Sequence, residues 1–228
     1  MSARRAGRAA LFDVDGTLVD TNHLHVTTWW EAFRQAGHRV STHAIHRSIG
    51  LGSTDLIEHL LGEDRDTDQD EQISSAHKAL YGAYSDRLAP LDGAHDLLHA
   101  LADRGWRNVL ATSAGGRELD ALRRAIDADE VIVGTASADD VADGKPAPDP
   151  VHRALELAEV AADDAVFVGD TVWDMQAAVR AGVRPVALLS GGIPRADLTE
   201  AGAEAVYKDP ADLLARLDDS VFARLEER

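Results

Sequence analysis

The 228-residue chain contains no cysteine, and it has few positive charges. The absence of cysteine excludes disulfides, thiolate zinc sites and a cysteine nucleophile. Lys and Arg number 23 against 40 Asp and Glu, which gives a formal net charge of −17. Such a charge argues against nucleic acid or an anionic membrane as a partner. The one basic segment is the N-terminal SARRAGR.

Long apolar runs are also absent. No run approaches the roughly 20 residues that span a membrane. The basic start leads into a segment with aspartates rather than into the apolar core of a signal peptide. We therefore expect a soluble, cytoplasmic protein. With 45% hydrophobic residues, the chain can bury the core of one large domain, or of one domain with a smaller insert.

Short segments rich in Val, Leu and Ile alternate with helical patterns along the chain. Two of the helical patterns end at Gly105 and Gly182, where a left-handed C-terminal cap favours glycine. Strands that alternate with helices predict a parallel sheet covered on both faces, so the fold class is predicted to be doubly wound α/β. The predicted strands are 9–14, 107–112, 131–133, 166–168 and 186–189.

About 90 residues separate the first two predicted strands, which is more than one crossover helix requires. The intervening sequence predicts helices over 24–33, over STDLIEHLL with Ser53 as N-cap, and over 73–88. We therefore expect a helical insert over 21–88, between core segments 1–20 and 89–228. The C-terminal PADLLARLDDSVFARLEER predicts one amphipathic helix, with a break near 218–220.

Two pairs of aspartates lie at the ends of predicted buried strands. Asp13 and Asp15 lie at the end of the first strand, whereas Asp170 lies at the tip of VFVG and Asp174 four residues further on. Alone, such residues usually cap a turn or complement a helix dipole. Ligands of doubly wound sheets, however, bind at the C-terminal ends of the strands. Four carboxylates gathered there would repel one another without a cation, and oxygen ligands without cysteine favour Mg²⁺.

Two further strand ends offer groups that suit a phosphoryl ligand. Thr112 and Ser113 supply hydroxyls before two glycines, although such residues are often only helix caps. Lys145 lies in the irregular segment DGKPAPDP and would balance the acids. The ten histidines offer no metal pattern, since His23 and His25 lack an HExxH spacing or a third ligand. We expect most of them at the surface or in caps.

Four segments together resemble the motifs of the haloacid dehalogenase superfamily. In order, they are FDVDGTLVD, LATSA, GKPAPD and VGDTVWDM. The resemblance covers nearly the whole chain, and it is closest to the phosphatase-like branch with a helical cap after the first motif. It implies a Rossmann-like core (residues 1–20 and 89–228) with a smaller α-helical cap domain at 21–88.

The resemblance also implies roles for individual residues. Asp13 would be the nucleophile that forms an aspartyl-phosphate, and Asp15 the general acid and then the base that activates water. Thr112 would hold a phosphoryl oxygen, and Lys145 would neutralise charge between nucleophile and phosphate. The dehalogenases of the superfamily lack an acid two residues after the nucleophile, so Asp15 argues against that activity.

The metal and substrate contacts follow from the same resemblance. Mg²⁺ would bind Asp13, the Asp15 carbonyl and Asp170, with Asp174 bound directly or through water. The substrate would be a small phosphorylated metabolite, either a sugar phosphate or a phosphoglycolate-like acid. The residues that would contact it are Gly16, Ser113, Ala114, His25 and Arg47.

Two other functions fit parts of the pattern. A sugar-phosphate mutase of the β-phosphoglucomutase type shares the four motifs, and it carries a histidine where His25 stands. Ile49, however, occupies a region where that mutase pattern has a lysine. A phosphate-accepting signalling receiver also groups acids, a hydroxyl and a lysine, but it is about half this length and has no insert. The segment GLGSTD lacks both the GxGxxG spacing and the Walker lysine of nucleotide-binding loops.

Overall fold

The computed structural model describes residues 7–227 and contains one six-stranded sheet in the order β3-β2-β1-β4-β5-β6. Every neighbouring pair of strands is parallel. This arrangement confirms the predicted doubly wound α/β class. The strands are β1 (Arg8–Phe12), β2 (Trp106–Ala111), β3 (Ile132–Ala136), β4 (Ala165–Gly169), β5 (Arg184–Leu188) and β6 (Ala205–Tyr207).

Helices connect the strands and also follow the last one. The first four, which lie between β1 and α5, are α1 (Asn22–Gln35), α2 (Thr42–Ser48), α3 (Ser53–Leu61) and α4 (Asp70–Gly82). The others are α5 (Ala94–Asp103), α6 (Gly116–Ile126), α7 (Asp149–Ala158), α8 (Val172–Arg180), α9 (Arg195–Glu200), α10 (Pro210–Ala215) and α11 (Val221–Glu226).

The sheet separates two apolar layers, and β1 shows why it can be buried on both faces. Ala10 and Phe12 pack in the cluster formed with α5, α6, α10 and α11, whereas Ala9 and Leu11 pack in the cluster formed with α7 and α8. Successive side chains of a strand point to opposite faces, so a continuous apolar run is required at the centre of a covered sheet.

The observed elements differ from the predicted ones at several places. β1 ends at Phe12, so Asp13 and Asp15 belong to the loop that follows it. The three-residue β6 was not predicted, because so short a strand has no detectable alternation. The predicted C-terminal helix is divided into α10 and α11, and the Ser220 hydroxyl caps α11 by accepting from the Phe222 amide.

Helices α1–α4, called the helical insert below, have an apolar cluster of their own that includes Trp29, Phe33 and Ile57. The prediction of α3 was correct except for its cap, because Gly52 is the N-cap and Ser53 is the first helical residue. Helix α2 was missed, since Ile45 is the one apolar side chain that it buries. The predicted third helix begins at residue 70 and ends at residue 82. The domain boundaries at 21 and 88 stay a prediction.

Two observations concern membrane association and charge. Between residues 7 and 227, no helix combines the length and the apolar character needed to cross a bilayer. The basic SARRAGR segment lies almost entirely outside the described residues.

Replacement of the glycines at the two ends of α5 by alanine should lower the stability of the fold by different amounts. Gly93 and Gly105 have φ angles of +79° and +83°, so alanine at either position strains the backbone by about 1 kcal/mol. At Gly93 the added Cβ would also lie 2.6 Å from Ala211 Cα, whereas nothing lies within 4 Å at Gly105. We expect Gly93→Ala to lower the free energy of unfolding by about 2–4 kcal/mol. Urea denaturation of both variants tests this, and equal losses would contradict it.

Candidate active site

The candidate site lies at the C-terminal edge of the sheet, where the strand ends bring three carboxylates together. Asp13 follows β1 and its amide donates to the Val168 carbonyl of β4. Asp170 follows β4, and Asp174 lies in the first turn of α8. One carboxylate oxygen from each lies within 4.8 Å of the others. All three side chains are buried.

Lys145 places a positive charge between two of these acids. Its Nζ lies 2.5 Å from Asp13 Oδ1 and 2.7 Å from Asp174 Oδ1, and the residue is 1% exposed. Burial alone would lower the pKa of Lys145, but the carboxylates of Asp13 and Asp174 raise it above its ordinary value. The lysine is therefore charged, as expected for a group that balances buried acids.

Hydrogen bonds hold both carboxylate oxygens of Asp170 and one carboxylate oxygen of Asp174. The Thr17 hydroxyl and the Asn22 amide donate to Asp170 at 2.9 and 2.7 Å. The amide and hydroxyl of Thr171 donate to Asp174 Oδ2 at 3.0 and 2.6 Å. Asp174 thus accepts at the start of α8 with one oxygen and turns the other to the lysine, while its role as a metal ligand stays a prediction.

The charges of this cluster do not balance. Burial raises the pKa of Asp13 to about 7; Lys145 opposes this shift, and the nearby Asp174 and Asp15 add to it. Burial, followed by repulsion from Asp13 and Asp174, raises the pKa of Asp170 well above its ordinary value. Three buried carboxylates therefore face one ammonium group. A divalent cation would remove the excess negative charge, so these residues fit a metal site.

Asp15 does not join the three carboxylates, although the sequence predicted four side chains in one cluster. Its Oδ1 accepts from the Thr21 hydroxyl at 2.6 Å and lies 3.1 Å from His25 Nε2. Burial would raise the pKa of Asp15, but the charge and hydrogen bond of His25, then Thr21, lower it. The loop turns between Asp13 and Asp15, because these residues lie beyond the end of the strand.

His25 continues into a buried aromatic group that sequence reasoning missed. His25 Nδ1 lies 3.2 Å from His77 Nε2, and the two rings stack against Tyr81 and Trp29 respectively, with centroids 4.1 and 4.0 Å apart. Burial, then His25, lowers the pKa of His77 to about 2, so this ring is neutral. Both histidines are buried, so they are exceptions to the expectation that most histidines lie at the surface or in caps. The sequence signal for this aromatic group was the spacing of four residues between His77 and Tyr81, which puts both side chains on one face of a helix.

The residues after β2 lie where the sequence placed them. Thr112 is buried, and its hydroxyl accepts from the Ala114 amide at 3.0 Å. The Ser113 hydroxyl donates to the Gly50 carbonyl of the helical insert at 3.3 Å. Thr112, Ser113 and Ala114 all line the cavity described below.

The other two predicted substrate contacts, Gly16 and Arg47, contact other parts of the protein and have roles in its structure. Gly16 has a φ of +76°, and a Cβ there would lie 2.3 Å from Asn22 Nδ2, so glycine is required at this turn. Arg47 does not line the cavity; its guanidinium pairs with Asp197 of α9 at 2.5 Å. It is thus not positioned as the sequence expected.

Between the sheet edge and the helical insert lies a cavity of about 1330 Å³. Asp13, Asp15 and Thr112 form its floor, and His25 and Tyr81 contribute from the insert. Residues 49–56, which form the loop before α3 and its first turn, close a further side, so GLGSTD belongs to the cavity wall. The cavity is therefore open to both Asp13 and Asp15.

The loop SGGIPR, residues 190–195, contributes to the site through its backbone. The Gly191 carbonyl accepts from His46 Nε2 at 2.8 Å and from the Asn22 side chain at 3.4 Å. A Cβ at Gly191 would lie 1.6 Å from Asp170 Oδ2. Glycine is therefore required here by close approach to the acid, which no local sequence pattern indicates.

Comparisons with known proteins agree with this geometry. Residues 8–182 match the family model described as haloacid dehalogenase-like hydrolase. Phosphoglycolate phosphatase of Rhodospirillum rubrum is 32% identical over 219 residues, which cover 90% of this chain and 89% of that protein. Pyrophosphatase PpaX of Halalkalibacterium halodurans is 26% identical over 177 residues, covering 76% and 80%. The crystal structure of a hydrolase from Pseudomonas syringae superposes with a TM-score of 0.89 at 34% identity, covering 93% and 98%.

A divalent cation should stabilise the folded protein. At a concentration 100 times Kd, binding to the native state alone adds about 2.7 kcal/mol, which raises the melting temperature by about 5–10 °C. Asp170→Asn should remove this increase, because it takes away one of the three carboxylates. Thermal unfolding with and without Mg²⁺ measures it, and Asp103→Asn, an exposed change on α5, is the control. An undiminished increase in Asp170→Asn would contradict the assignment.

Proposed function

The chain belongs to the haloacid dehalogenase-like hydrolase family, and we propose that this phosphatase uses Mg²⁺ and an aspartyl-phosphate on Asp13 to hydrolyse a small phosphorylated metabolite. The metabolite would be a sugar phosphate or a phosphoglycolate-like acid. One observation carries the proposal: the Lys145 ammonium lies between Asp13 and Asp174, and Asp13, which is grouped with Asp170 and Asp174, lines the floor of the cavity.

In the first step, Asp13 would attack phosphorus. Lys145 contacts Oδ1, so Oδ2 is the oxygen assigned to the attack. The new Asp13–phosphorus bond forms as the bond from phosphorus to the leaving oxygen breaks, and Asp15 gives that oxygen a proton. In the second step, Asp15 takes a proton from water, the water oxygen bonds to phosphorus, and the Asp13 carboxylate is released with inorganic phosphate.

The surroundings of Asp15 suit both steps. Thr21 and His25 fix its carboxylate, and its lowered pKa supplies the ionised form that the second step needs. A bound phosphate dianion adds negative charge nearby, which raises the proton affinity of Asp15 for the first step. The same group can therefore act as acid and then as base.

The metal would be Mg²⁺, since all the donors are hard oxygens. Asp13, Asp170 and the Asp15 carbonyl would hold it, with Asp174 direct or through water. When bound, it would neutralise the charge of the buried acids and of the phosphoryl oxygens. The Thr112 hydroxyl would bind a phosphoryl oxygen.

Asp13→Asn should abolish turnover, because an amide is a poor nucleophile and a weaker metal ligand. Release of inorganic phosphate from a panel of phosphorylated metabolites with Mg²⁺ measures this. Asp103→Asn on α5 should retain full activity. Substantial turnover by pure Asp13→Asn protein would sink the proposal. Accumulation of isomerised sugar phosphate faster than free phosphate would instead support the mutase.

Asp15→Asn should lower kcat by about 10²–10⁴-fold, as is typical when a general acid-base group is lost. The stabilisation by Mg²⁺ should persist, because the Asp15 side chain lies outside the three-carboxylate cluster. With 4-nitrophenyl phosphate, whose leaving group needs no proton, a rapid burst of one nitrophenolate per enzyme should precede slow turnover. The absence of a burst, with binding intact, would contradict the assignment of Asp15 to the second step.

A further inference from the structure

A second carboxylate lies beside the group assigned to protonate the leaving oxygen. Glu118 lies in the first turn of α6, and its Oε1 is 3.7 Å from His25 Nε2. Asp15, His25 and Glu118 each offer an atom within 4.8 Å of the others. All three line the cavity. Glu118 has no part in the two chemical steps, so its position calls for another explanation.

The carboxylate of Glu118 would lie closer to the leaving group of a bound substrate than to its phosphoryl group. The leaving oxygen must lie about 3 Å from Asp15 to receive its proton. The atoms next to that oxygen then lie within a few ångströms of Glu118. A carboxylate or phosphate on those atoms would be repelled, and repulsion is strong at a site that is partly shielded from water.

The histidine between the acids does not reverse this effect. A protonated His25 balances one carboxylate at most, so the group of Asp15, His25 and Glu118 never offers a surplus positive charge. Lys78, Arg117 and Arg124 also line the cavity, but these residues are exposed, and solvent and salt screen their charge. Glu118, which is only partly exposed and lies 3.7 Å from His25, is thus less screened than these basic residues.

A second, independent observation concerns Tyr81, which stacks on His25 and lines the same cavity. The residue is 2% exposed, and its hydroxyl has no hydrogen-bond partner within residues 7–227. A buried hydroxyl without a partner is costly, so a ligand hydroxyl is a chemically suitable one. Aromatic faces beside a carboxylate acceptor suit the CH and OH groups of a polyol.

The size of the cavity agrees with this chemistry. At about 1330 Å³, it exceeds the 300–1,000 Å³ that is typical of pockets for drug-sized ligands. A two-carbon acid or a second phosphate would fill a small part of it. A polyol with several carbons can reach both Asp13 and the aromatic side chains of His25 and Tyr81.

Resting on the phosphatase activity proposed above, we infer that the substrate is a phosphate monoester of a neutral or amine-bearing polyol, and that Glu118 disfavours leaving groups that carry a carboxylate or a phosphate. Glu118 is thus a specificity-determining residue. It discriminates through repulsion of the wrong leaving group as well as through acceptance of hydroxyl groups.

Three two-carbon phosphate monoesters test the inference, because they differ mainly in the charge of the terminal group. They are 2-hydroxyethyl phosphate, 2-aminoethyl phosphate and 2-phosphoglycolate. We expect kcat/KM for 2-phosphoglycolate to be at least about tenfold below that for 2-hydroxyethyl phosphate, and the amine to be at least as good as the alcohol. Glucose 6-phosphate is added as a larger polyol ester and should exceed all three.

The isosteric variant Glu118→Gln removes the charge alone. It should raise the ratio of kcat/KM for 2-phosphoglycolate over 2-hydroxyethyl phosphate by about tenfold. A general disturbance of His25 or Asp15 would lower both values and cancel in this ratio. Asp120→Asn, the same kind of change two residues later on α6 at an exposed cavity residue, should leave the ratio within about twofold.

The outcomes separate the two proposals. Wild-type preference for 2-phosphoglycolate, or an unchanged ratio in Glu118→Gln, would overturn the inference while leaving the phosphatase proposal intact. No phosphate release from any of the four esters or from 4-nitrophenyl phosphate would overturn the proposed function, and the inference with it. The expected order together with the shifted ratio supports both.

Discussion

The ion pair of Lys145 with Asp13 and Asp174 is the contact on which the site depends. Moving an ion from water into a protein interior costs several kcal/mol, and a close partner with good geometry offsets much of that cost. Here one ammonium group contacts Asp13 and Asp174, Thr17 and Asn22 satisfy the oxygens of Asp170, and Thr171 satisfies the second oxygen of Asp174. The polar cluster is stable because the strand ends hold its members in place. Its excess negative charge would favour the binding of a cation.

The contacts between the helical insert and the sheet edge are mainly polar. Arg47 pairs with Asp197, the Trp173 indole donates to the Arg47 carbonyl at 3.1 Å, and His46 contacts Gly191. Most apolar side chains of the insert are gathered in its own cluster, against which Trp173 of α8 also packs. Water can replace polar contacts at small net cost, whereas exposure of an apolar interface is expensive. The insert and the sheet therefore have separate apolar cores, with several polar contacts between them.

The features that the sequence predicted are those with a local cause. The apolar run before Asp13 predicted a buried strand, because both of its faces are covered, and the acids after such strands predicted the edge that carries the site. His77 and Glu118 could not be placed in this way, since their approach to His25 depends on how α4 and α6 pack in three dimensions. The requirement for glycine at position 191 likewise comes from Asp170, which is remote in sequence.

The strand order has a consequence for synthesis of the chain on the ribosome. β1 is made first, yet it lies between β2 and β4, whose residues follow roughly 95 and 150 positions later. At about 5–20 residues per second, the apolar segment of β1 waits on the order of five to twenty seconds for its first partner strand. The insert made in the meantime buries its own apolar cluster, which does not include β1. The nascent chain thus leaves the apolar segment of β1 without a neighbouring strand for longer than any other strand of the sheet.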